Sequence, residues 1–223
     1  MCYSPEADLV AGVVVGAVGI DGLRNVDDRR DLALAAVPLV LAAHQLIEAV
    51  GWWGLQGRVP EAAGRLAIVA YLIIAMGVVP GLLPYAVMRT ERSPARQRLM
   101  VPFVALGMTV GAVLLVALST GPYGASIGGR YIAYETTLPW SGVIAVAYVI
   151  AVCTPLLLSS HRRLVVFGAI NVVIVIGLAT LLASGFISLW CVWAAISSVV
   201  VTLHIRERST ARYTDRTAVR ADG

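Results

Sequence analysis

An acid and an imidazole share one face of a long apolar segment in the first quarter of the chain. Glu48 follows His44 by four residues, within a stretch, 32–54, that holds no other ionisable side chain. Side chains four residues apart lie on the same face of an α-helix, so the two groups are predicted neighbours. An ionisable group inside an apolar span is costly, and it therefore marks a candidate functional site.

Proton transfer is the chemistry expected of this pair. A carboxyl group buried among apolar side chains keeps its proton at neutral pH more readily than an exposed one, so Glu48 is a candidate catalytic acid. His44 would hold Glu48 in place or return a proton to it. A structural alternative stays open, in which both side chains bond each other and a neighbouring helix to fix the packing.

Aromatic residues concentrate at the same predicted depth as the acid. A belt of Trp and Tyr at the membrane surface explains those at the ends of spans, whereas Tyr71, Trp190 and Trp193 are predicted about one to two turns deeper. An acid beside aromatic faces suits carbocation chemistry, because the acid protonates an alkene or epoxide and the rings stabilise the cation. The predicted substrate contacts are Tyr71, Trp52, Trp190, Trp193 and Tyr134.

A second carboxylate lies in the longest polar loop, around 121–139. That loop contains Glu135, and folding it over the outer end of the bundle would bring Glu135 to the same site. We include Glu135 among the predicted substrate-site residues on this basis. A solvated loop acid is the simpler alternative.

The three cysteines leave two further alternatives open. Cys2 and Cys191 are predicted on the outer side, where they would pair as a disulfide or join His44 and Glu48 as metal ligands. Cys153 is predicted in the inner half of the fifth span, as a small buried residue. We predict no metal, because catalytic zinc sites usually need three well-placed protein ligands.

Composition excludes a soluble domain. Hydrophobic residues make up 59% of the chain and charged residues only 13%, more apolar surface than a soluble core can hide. The net charge of +4 comes from arginines in short loops and the tail, which act as topology signals and do not predict nucleic-acid binding. No phosphate-binding loop, dinucleotide fingerprint or Asp-rich motif is present, so no cofactor is predicted.

The fold class predicted is an all-α integral membrane protein of about seven transmembrane helices. The predicted spans are 9–23, 32–54, 66–88, 99–119, 141–159, 164–183 and 187–204. They form one membrane domain, 1–205, followed by a disordered basic cytoplasmic tail, 206–223.

Arginine asymmetry predicts the orientation. Fourteen of the 17 basic residues fall on one side of these spans, and the other side has only Arg58, Arg65 and Arg130. The arginine-rich side is cytoplasmic by the positive-inside rule. An odd number of spans then places the amino terminus outside, in a multi-pass protein of the cell membrane.

Glycine and proline patterns predict close helix packing. Gly12/Gly16, Gly77/Gly81 and Gly107/Gly111 have the spacing that lets helix backbones approach. Prolines inside the predicted spans are expected to bend the helices without ending them.

Several segments carry a resemblance that covers nearly the whole chain. They are Met1-Cys2-Tyr3-Ser4 at the start, His44-Gln45-Leu46-Ile47-Glu48, Ser159-Ser160-His161-Arg162 and Leu189-Trp190-Cys191. With them the chain resembles small bacterial seven-helix membrane proteins that begin Met-Cys-Phe-Ser, although Tyr3 stands where Phe is usual. That resemblance implies a membrane location and no particular activity.

A looser resemblance is to membrane-bound terpene cyclases of the drimentine and fungal meroterpenoid type. The chain is similar to them in size, in span number and in having a Glu in the second span. The resemblance implies that Glu48 starts cyclisation by protonation, without a metal. Those enzymes usually have a second acid, an Asp on a late helix, whereas the seventh predicted span has none and Glu135 is a candidate substitute.

The leading hypothesis is a membrane-embedded, protonation-initiated (class II-like) terpene cyclase. It would act on a lipophilic, prenylated small molecule, which a prenyltransferase of the same pathway would supply. One alternative is a non-enzymatic membrane sensor or small-solute permease, and another is a metal-binding membrane protein.

Overall fold

Helices form most of the structure. The computed structural model describes residues 4–128, 132–136, 140–181 and 196–207. The helices are α1 (Pro5–Arg24), α2 (Leu32–Leu55), α3 (Glu61–Leu72), α4 (Val79–Thr90), α5 (Pro94–Thr120), α6 (Ser141–Leu158), α7 (Arg162–Leu181) and α8 (196–207). A π-helical turn, Ile73–Val78, joins α3 to α4 in one continuous rod.

Four helices in the described part of the chain are long and apolar enough to cross a membrane. They are α2, the rod Glu61–Thr90, α5 and α6. Each has 18 or more residues, close to the length needed to cross the hydrocarbon core. The helical, membrane-type architecture predicted from composition is therefore confirmed at this level.

The start of α1 follows from its sequence. Ser4 caps the helix by accepting a hydrogen bond from the backbone N–H of Ala7 at 3.3 Å, and Pro5 occupies the first turn. Along the helix, the buried residues recur every three or four positions, which defines one face. They are Pro5, Asp8, Gly12, Val15, Gly19 and Gly22.

Glycine brings α1 close to α2. A Cβ atom at Gly12 would lie 2.7 Å from the side chain of Leu46, and one at Gly19 would lie 2.7 Å from Leu39. The close approach predicted from small-residue spacing is confirmed for Gly12. Because Asp8 lies on the same face one turn earlier, this packing turns an acidic side chain toward α2.

A two-stranded hairpin, which the sequence did not predict, joins α5 to α6. β1 (Tyr123–Ile127) pairs antiparallel with β2 (Ile132–Thr136), with Ala125 opposite Tyr134. Ile132 is fully buried and lies within 4.0 Å of a Cβ built on Gly51 of α2. The hairpin therefore lies against the end of α2, and Tyr134 follows Ile132 on the same strand face.

Helix α5 packs on the rod through two glycines. A Cβ at Gly107 would overlap the carbonyl oxygen of Pro80, and one at Gly111 would lie 2.7 Å from the carbonyl oxygen of Gly77. Gly77 belongs to the π-helical turn. The predicted glycine packing is confirmed at these positions, and it leaves no room for a side chain.

Replacing Gly107 with Ala should destabilise the fold by about 1–3 kcal/mol, because the added methyl group must displace backbone. Gly142→Ala is the matched control, since nothing lies within 4 Å of a Cβ at Gly142. Thermal unfolding in detergent would measure both. Equal stability of the two variants would contradict the packing described.

The buried carboxylate of Glu91 joins the α4–α5 connection to the α6–α7 connection, at the opposite end of the bundle from the hairpin. Glu91 follows α4, is 1% exposed, and accepts hydrogen bonds from the Ser160 backbone N–H at 2.7 Å and the Ser160 hydroxyl at 2.5 Å. Gln97 Nε2 donates to the Glu91 carbonyl oxygen at 2.7 Å. These hydrogen bonds connect the α6–α7 loop to the α4–α5 loop.

These hydrogen bonds determine the pKa of Glu91. Burial by itself raises that pKa, but the hydrogen bonds from Ser160 and from the Arg92 backbone outweigh it and leave the pKa below its ordinary value. A carboxylate with a lowered folded-state pKa stabilises the fold above the unfolded-state pKa. Its contribution is lost as pH falls through the lower folded-state pKa.

Glu91→Gln should lower the free energy of unfolding at pH 7 by about 1.5–3 kcal/mol, because hydrogen bonds to a charged acceptor are lost. The difference from wild type should shrink as pH falls below the range in which a free glutamate takes up its proton. Unfolding measured from pH 7 to pH 3, with Glu61→Gln as an exposed control, checks this. A difference independent of pH would refute it.

Candidate functional site

Glu48 lies in the interior of the bundle, in contact with two tyrosines from distant parts of the chain. It is fully buried on α2. The hydroxyl groups of Tyr71, on α3, and Tyr134, on β2, both approach its carboxyl group. The Tyr134 contact lacks the geometry of a regular hydrogen bond, since the Tyr134 hydroxyl makes none in the described residues.

Three rings stack beside this carboxyl group. The rings of His44 and Tyr71 have centroids 3.9 Å apart at an angle of 24°, and those of Tyr71 and Tyr134 are 4.7 Å apart at 11°. Each aromatic pair contributes about 0.5–1.5 kcal/mol beyond burial. The stack therefore links α2, the rod and the hairpin around Glu48.

His44 was predicted to act on Glu48, and the structure places it against Tyr71. Its ring is 4% exposed, and within the described ranges Nε2 has no hydrogen-bond partner. A buried polar atom without a partner is unusual and asks for an explanation. His44 also lines the cavity described below.

Asp8 is a second buried acid at the site, and sequence analysis missed it. It is 1% exposed, and its charge acts on Glu48 across the interface between α1 and α2. The indole N–H of Trp52 faces the Asp8 carboxyl group, but in the described structure neither group makes a regular hydrogen bond. The signal available in the sequence was the spacing of Asp8, Gly12 and Val15, which puts Asp8 on the glycine face of α1.

Two neighbouring carboxyl groups constrain each other in an apolar interior. Ionising Asp8 and Glu48 together would place two like charges in an apolar interior, which is costly. In other proteins, pairs of buried carboxyl groups serve as acid and base.

A cavity of about 380 Å³ lies on the other side of the ring stack from Glu48. His44, Tyr71 and Tyr134 line it, whereas Asp8, Glu48 and Trp52 are not part of its wall. Its remaining lining is mostly apolar, and none of the described residues in it carries a charged side chain. These residues include Leu41, Leu72, Ala75, Met76, Val79, Leu114, Ile144, Val149, Val152 and Val175. Such a space fits a lipophilic molecule.

The cavity is elongated along the helices. Its lining on α6 runs from Ser141 to Cys153, which corresponds to about 18 Å at 1.5 Å per residue. Beside it, the Tyr148 hydroxyl donates to the Ala75 carbonyl oxygen of the π-helical turn at 3.0 Å. A π-helical turn leaves main-chain groups without their usual helical partners, and such turns are frequent at functional sites.

Some predicted site residues lie outside the described part of the chain. Trp190, Trp193, Cys2 and Cys191 lie outside the described residues. Glu135 lies in β2 opposite Gly124, but its side chain is also outside what the structure describes.

No metal cluster is found among the described residues. Among residues 4–128, 132–136, 140–181 and 196–207, no group of three His, Cys, Asp or Glu side chains is arranged to hold a metal ion. The ligand set considered from sequence includes Cys2 and Cys191, which lie outside these ranges. The metal alternative therefore stays a prediction.

Comparison with known proteins identifies the family. Residues 1–216 match a family described as "Family of unknown function (DUF6629)", and because the match covers nearly the whole chain, the protein belongs to that family. No curated protein and no solved structure matches the chain.

Asp8→Asn should leave the fold as stable as wild type or more stable by about 1 kcal/mol, because residues kept for function are often not optimal for stability. Asp21→Asn is the matched control on the same helix. Asp21 accepts two hydrogen bonds from Arg206, at 2.6 and 2.7 Å, so its loss should be slightly destabilising. Thermal unfolding of both variants measures these changes in stability. A large loss of stability in Asp8→Asn would indicate a structural role for this acid.

Proposed function

We propose that the protein is a membrane-embedded enzyme that protonates a lipophilic, prenylated small molecule and cyclises it without changing its mass, as a class II-like terpene cyclase does. The observation that carries this proposal is the buried Glu48 carboxyl group, which the Tyr71 and Tyr134 hydroxyls approach while both tyrosines also line an apolar cavity of about 380 Å³. An acid must reach the substrate while water stays out, and a buried acid beside an apolar cavity suits both requirements.

Tyr134 is the proposed group that faces the substrate. Tyr134 lines the cavity, and its hydroxyl approaches Glu48 without a regular hydrogen bond of its own in the described residues. In the proposed step this hydroxyl turns toward the substrate, and its O–H proton passes to an epoxide oxygen or alkene carbon while the proton of Glu48 moves to the phenolic oxygen.

Cyclisation then closes within the cavity. The electron pairs of internal double bonds attack the cation in turn, and the ring faces beside the cavity stabilise the positive charge. The last cation loses a C–H proton to His44, which lines the cavity. Return of that proton to Glu48 resets the site, so substrate and product are isomers.

The membrane arrangement belongs to the same proposal. Four helices among the described residues are long and apolar enough to cross a membrane, and we assign three more spans to α1, α7 and the segment that ends in α8. The arginine distribution then puts the amino terminus and the hairpin outside and the carboxyl tail in the cytoplasm, in a multi-pass protein of the cell membrane. In this orientation the hairpin closes the outer end of the catalytic bundle.

A sensor that binds a lipophilic molecule would use the same cavity. The mostly apolar lining disfavours a permease for polar solutes, because a polar solute would lose its hydration without gaining partners. The carboxyl pair distinguishes enzyme from sensor, since a binding site alone does not need two buried acids.

Glu48→Gln should abolish cyclisation, with turnover reduced at least about 100-fold, because the proton source is removed while the shape of the side chain is kept. The assay expresses wild type and variant with a panel of prenylated indoles, linear prenyl compounds and their epoxides. Mass spectrometry then looks for a cyclised isomer of unchanged mass.

Two further variants sharpen this test. Glu61→Gln, an exposed acid on α3, should cyclise like wild type, and Tyr134→Phe should lose activity if the proton passes through its hydroxyl. Activity in Tyr134→Phe but not in Glu48→Gln would mean direct protonation by Glu48. No turnover by well-folded wild type would reject the cyclase proposal.

A further inference from the structure

Asp8 is a buried acid to which the proposed reaction steps give no role. It is 1% exposed, and among the described residues neither oxygen of its carboxyl group has a hydrogen-bond partner. The indole N–H of Trp52 faces this carboxyl group, and its nitrogen is also buried without a partner in the same ranges. Buried polar groups are nearly always paired with protein or with ordered water. The two groups together therefore form a site for a small polar molecule.

The packing of α1 on α2 fixes the level at which Asp8 lies. Contacts of the α1 glycines move back along α2 as α1 advances, so the two helices are antiparallel, and Gly12 packs against Leu46. Asp8, four residues before Gly12, is therefore level with position 50 of α2. That level is midway between Glu48 and Trp52, about 3 Å along the axis from each. This register explains why Trp52 faces Asp8 and why the charge of Asp8 acts on Glu48.

Asp8 also lies close to the surface, at the end of the bundle that the hairpin covers. Two residues before it, Glu6 pairs with Arg58 at 3.7 Å, and these two side chains are 68% and 60% exposed. Two residues of an α-helix span only about 3 Å. By the register above, Glu48 lies about 3 Å deeper than the level of Asp8. Asp8 therefore lies between the exposed end of the bundle and Glu48.

We propose that Asp8 supplies Glu48 with protons from the aqueous phase at the hairpin end. A water molecule held by the Trp52 N–H and the Asp8 carboxylate passes one proton to an oxygen of Asp8 and takes another from solvent water. The Asp8 O–H then gives its proton to the ionised Glu48, and Asp8 becomes a carboxylate again. The inference rests on the proposed function in that Glu48 is the acid that needs recharging.

The surroundings of Asp8 suit this role. Its charge acts on Glu48, Tyr71 and Tyr134, which are the titratable groups that face it from α2, α3 and the hairpin. A proton that arrives at Asp8 is therefore close to the carboxyl and hydroxyl groups of the acid site. Residues 1–3, which precede α1, lie outside the described part of the chain.

The cavity is a poor alternative route for protons. Its lining is mostly apolar, and none of the described residues in it is charged. An excess proton that entered it would lose its hydration without gaining partners. Asp8 and Glu48 are not part of the cavity wall. Substrate and solvent protons therefore approach the acid site from different sides, which keeps bulk water away from the reacting cation.

The first test measures proton exchange at Glu48 without turnover. Full-length protein in nanodiscs is moved from H₂O to D₂O at mildly acidic pH. Infrared spectroscopy follows the carbonyl stretch of protonated Glu48, which Glu48→Gln identifies by removing it. Asp8→Asn should slow exchange of this band at least about tenfold, because a positioned acid speeds proton transfer by about 10²–10⁴-fold. Asp8→Glu should restore the wild-type rate.

Two further variants separate proton uptake from helix packing. Asp21→Asn changes an acid at the opposite end of α1, where Asp21 pairs with Arg206, and it should exchange like wild type. Trp52→Phe removes the indole N–H and keeps an aromatic ring, so it should also slow exchange. This variant keeps the inference falsifiable if Asp8→Asn does not fold.

The second test uses turnover in D₂O. Without exchange, the C–H proton that leaves the last cation returns to Glu48 and enters the next product, so the product carries protium. With uptake through Asp8, the cyclised product of wild type should carry deuterium, and that of Asp8→Asn should stay mostly undeuterated. Mass spectrometry of the products measures this difference.

The outcomes separate this inference from the proposed reaction. Equal exchange rates in wild type and Asp8→Asn, or slow exchange that Asp8→Glu does not restore, would overturn proton uptake through Asp8 even if cyclisation is observed. Slow exchange in Asp8→Asn that Asp8→Glu restores would support it even if no cyclised product is found. Absence of a protonated Glu48 band at every pH would overturn it together with the acid role of Glu48.

Discussion

The cost of burying two carboxyl groups in one apolar interior is the constraint on which the rest of the site depends. Asp8 and Glu48 come from different helices, and the charge of Asp8 acts on Glu48 because glycines bring α1 and α2 close together. In such an interior a charge on both groups would be costly. Helix packing that would otherwise be purely structural thereby places two acids near the centre of the site.

A layer of aromatic side chains separates this acid pair from the apolar cavity. Tyr71 and Tyr134 touch Glu48 on one side and line the cavity on the other. Tyr71 belongs to a helix and Tyr134 to the hairpin, so the site is complete only when the hairpin packs against the bundle. A lipophilic molecule in the cavity would meet the side chains of Tyr71, Tyr134 and His44, whereas Asp8 and Glu48 are not part of its wall.

The far end of the bundle is held by polar contacts of a different kind. Glu91 fastens the link between α6 and α7, and Arg206 of α8 pairs with Asp21 of α1. These contacts fix the helix ends while the middle of the bundle packs through glycine and apolar side chains. The rigid end lies away from the acid pair, and the cavity occupies the space between the two ends.

The sequence by itself determined the apolar spans and the shared face of His44 and Glu48, because both depend on local periodicity. It also suggested the close approach of glycine faces. Only the tertiary structure decided that the charge of Asp8 acts on Glu48, that Tyr71 and Tyr134 meet beside Glu48, and that a hairpin replaces the expected irregular loop. Asp8 and Glu48 are 40 positions apart in the chain and Tyr71 and Tyr134 are 63 apart. The packing of whole helices and a hairpin, which no local pattern records, determines which distant side chains meet.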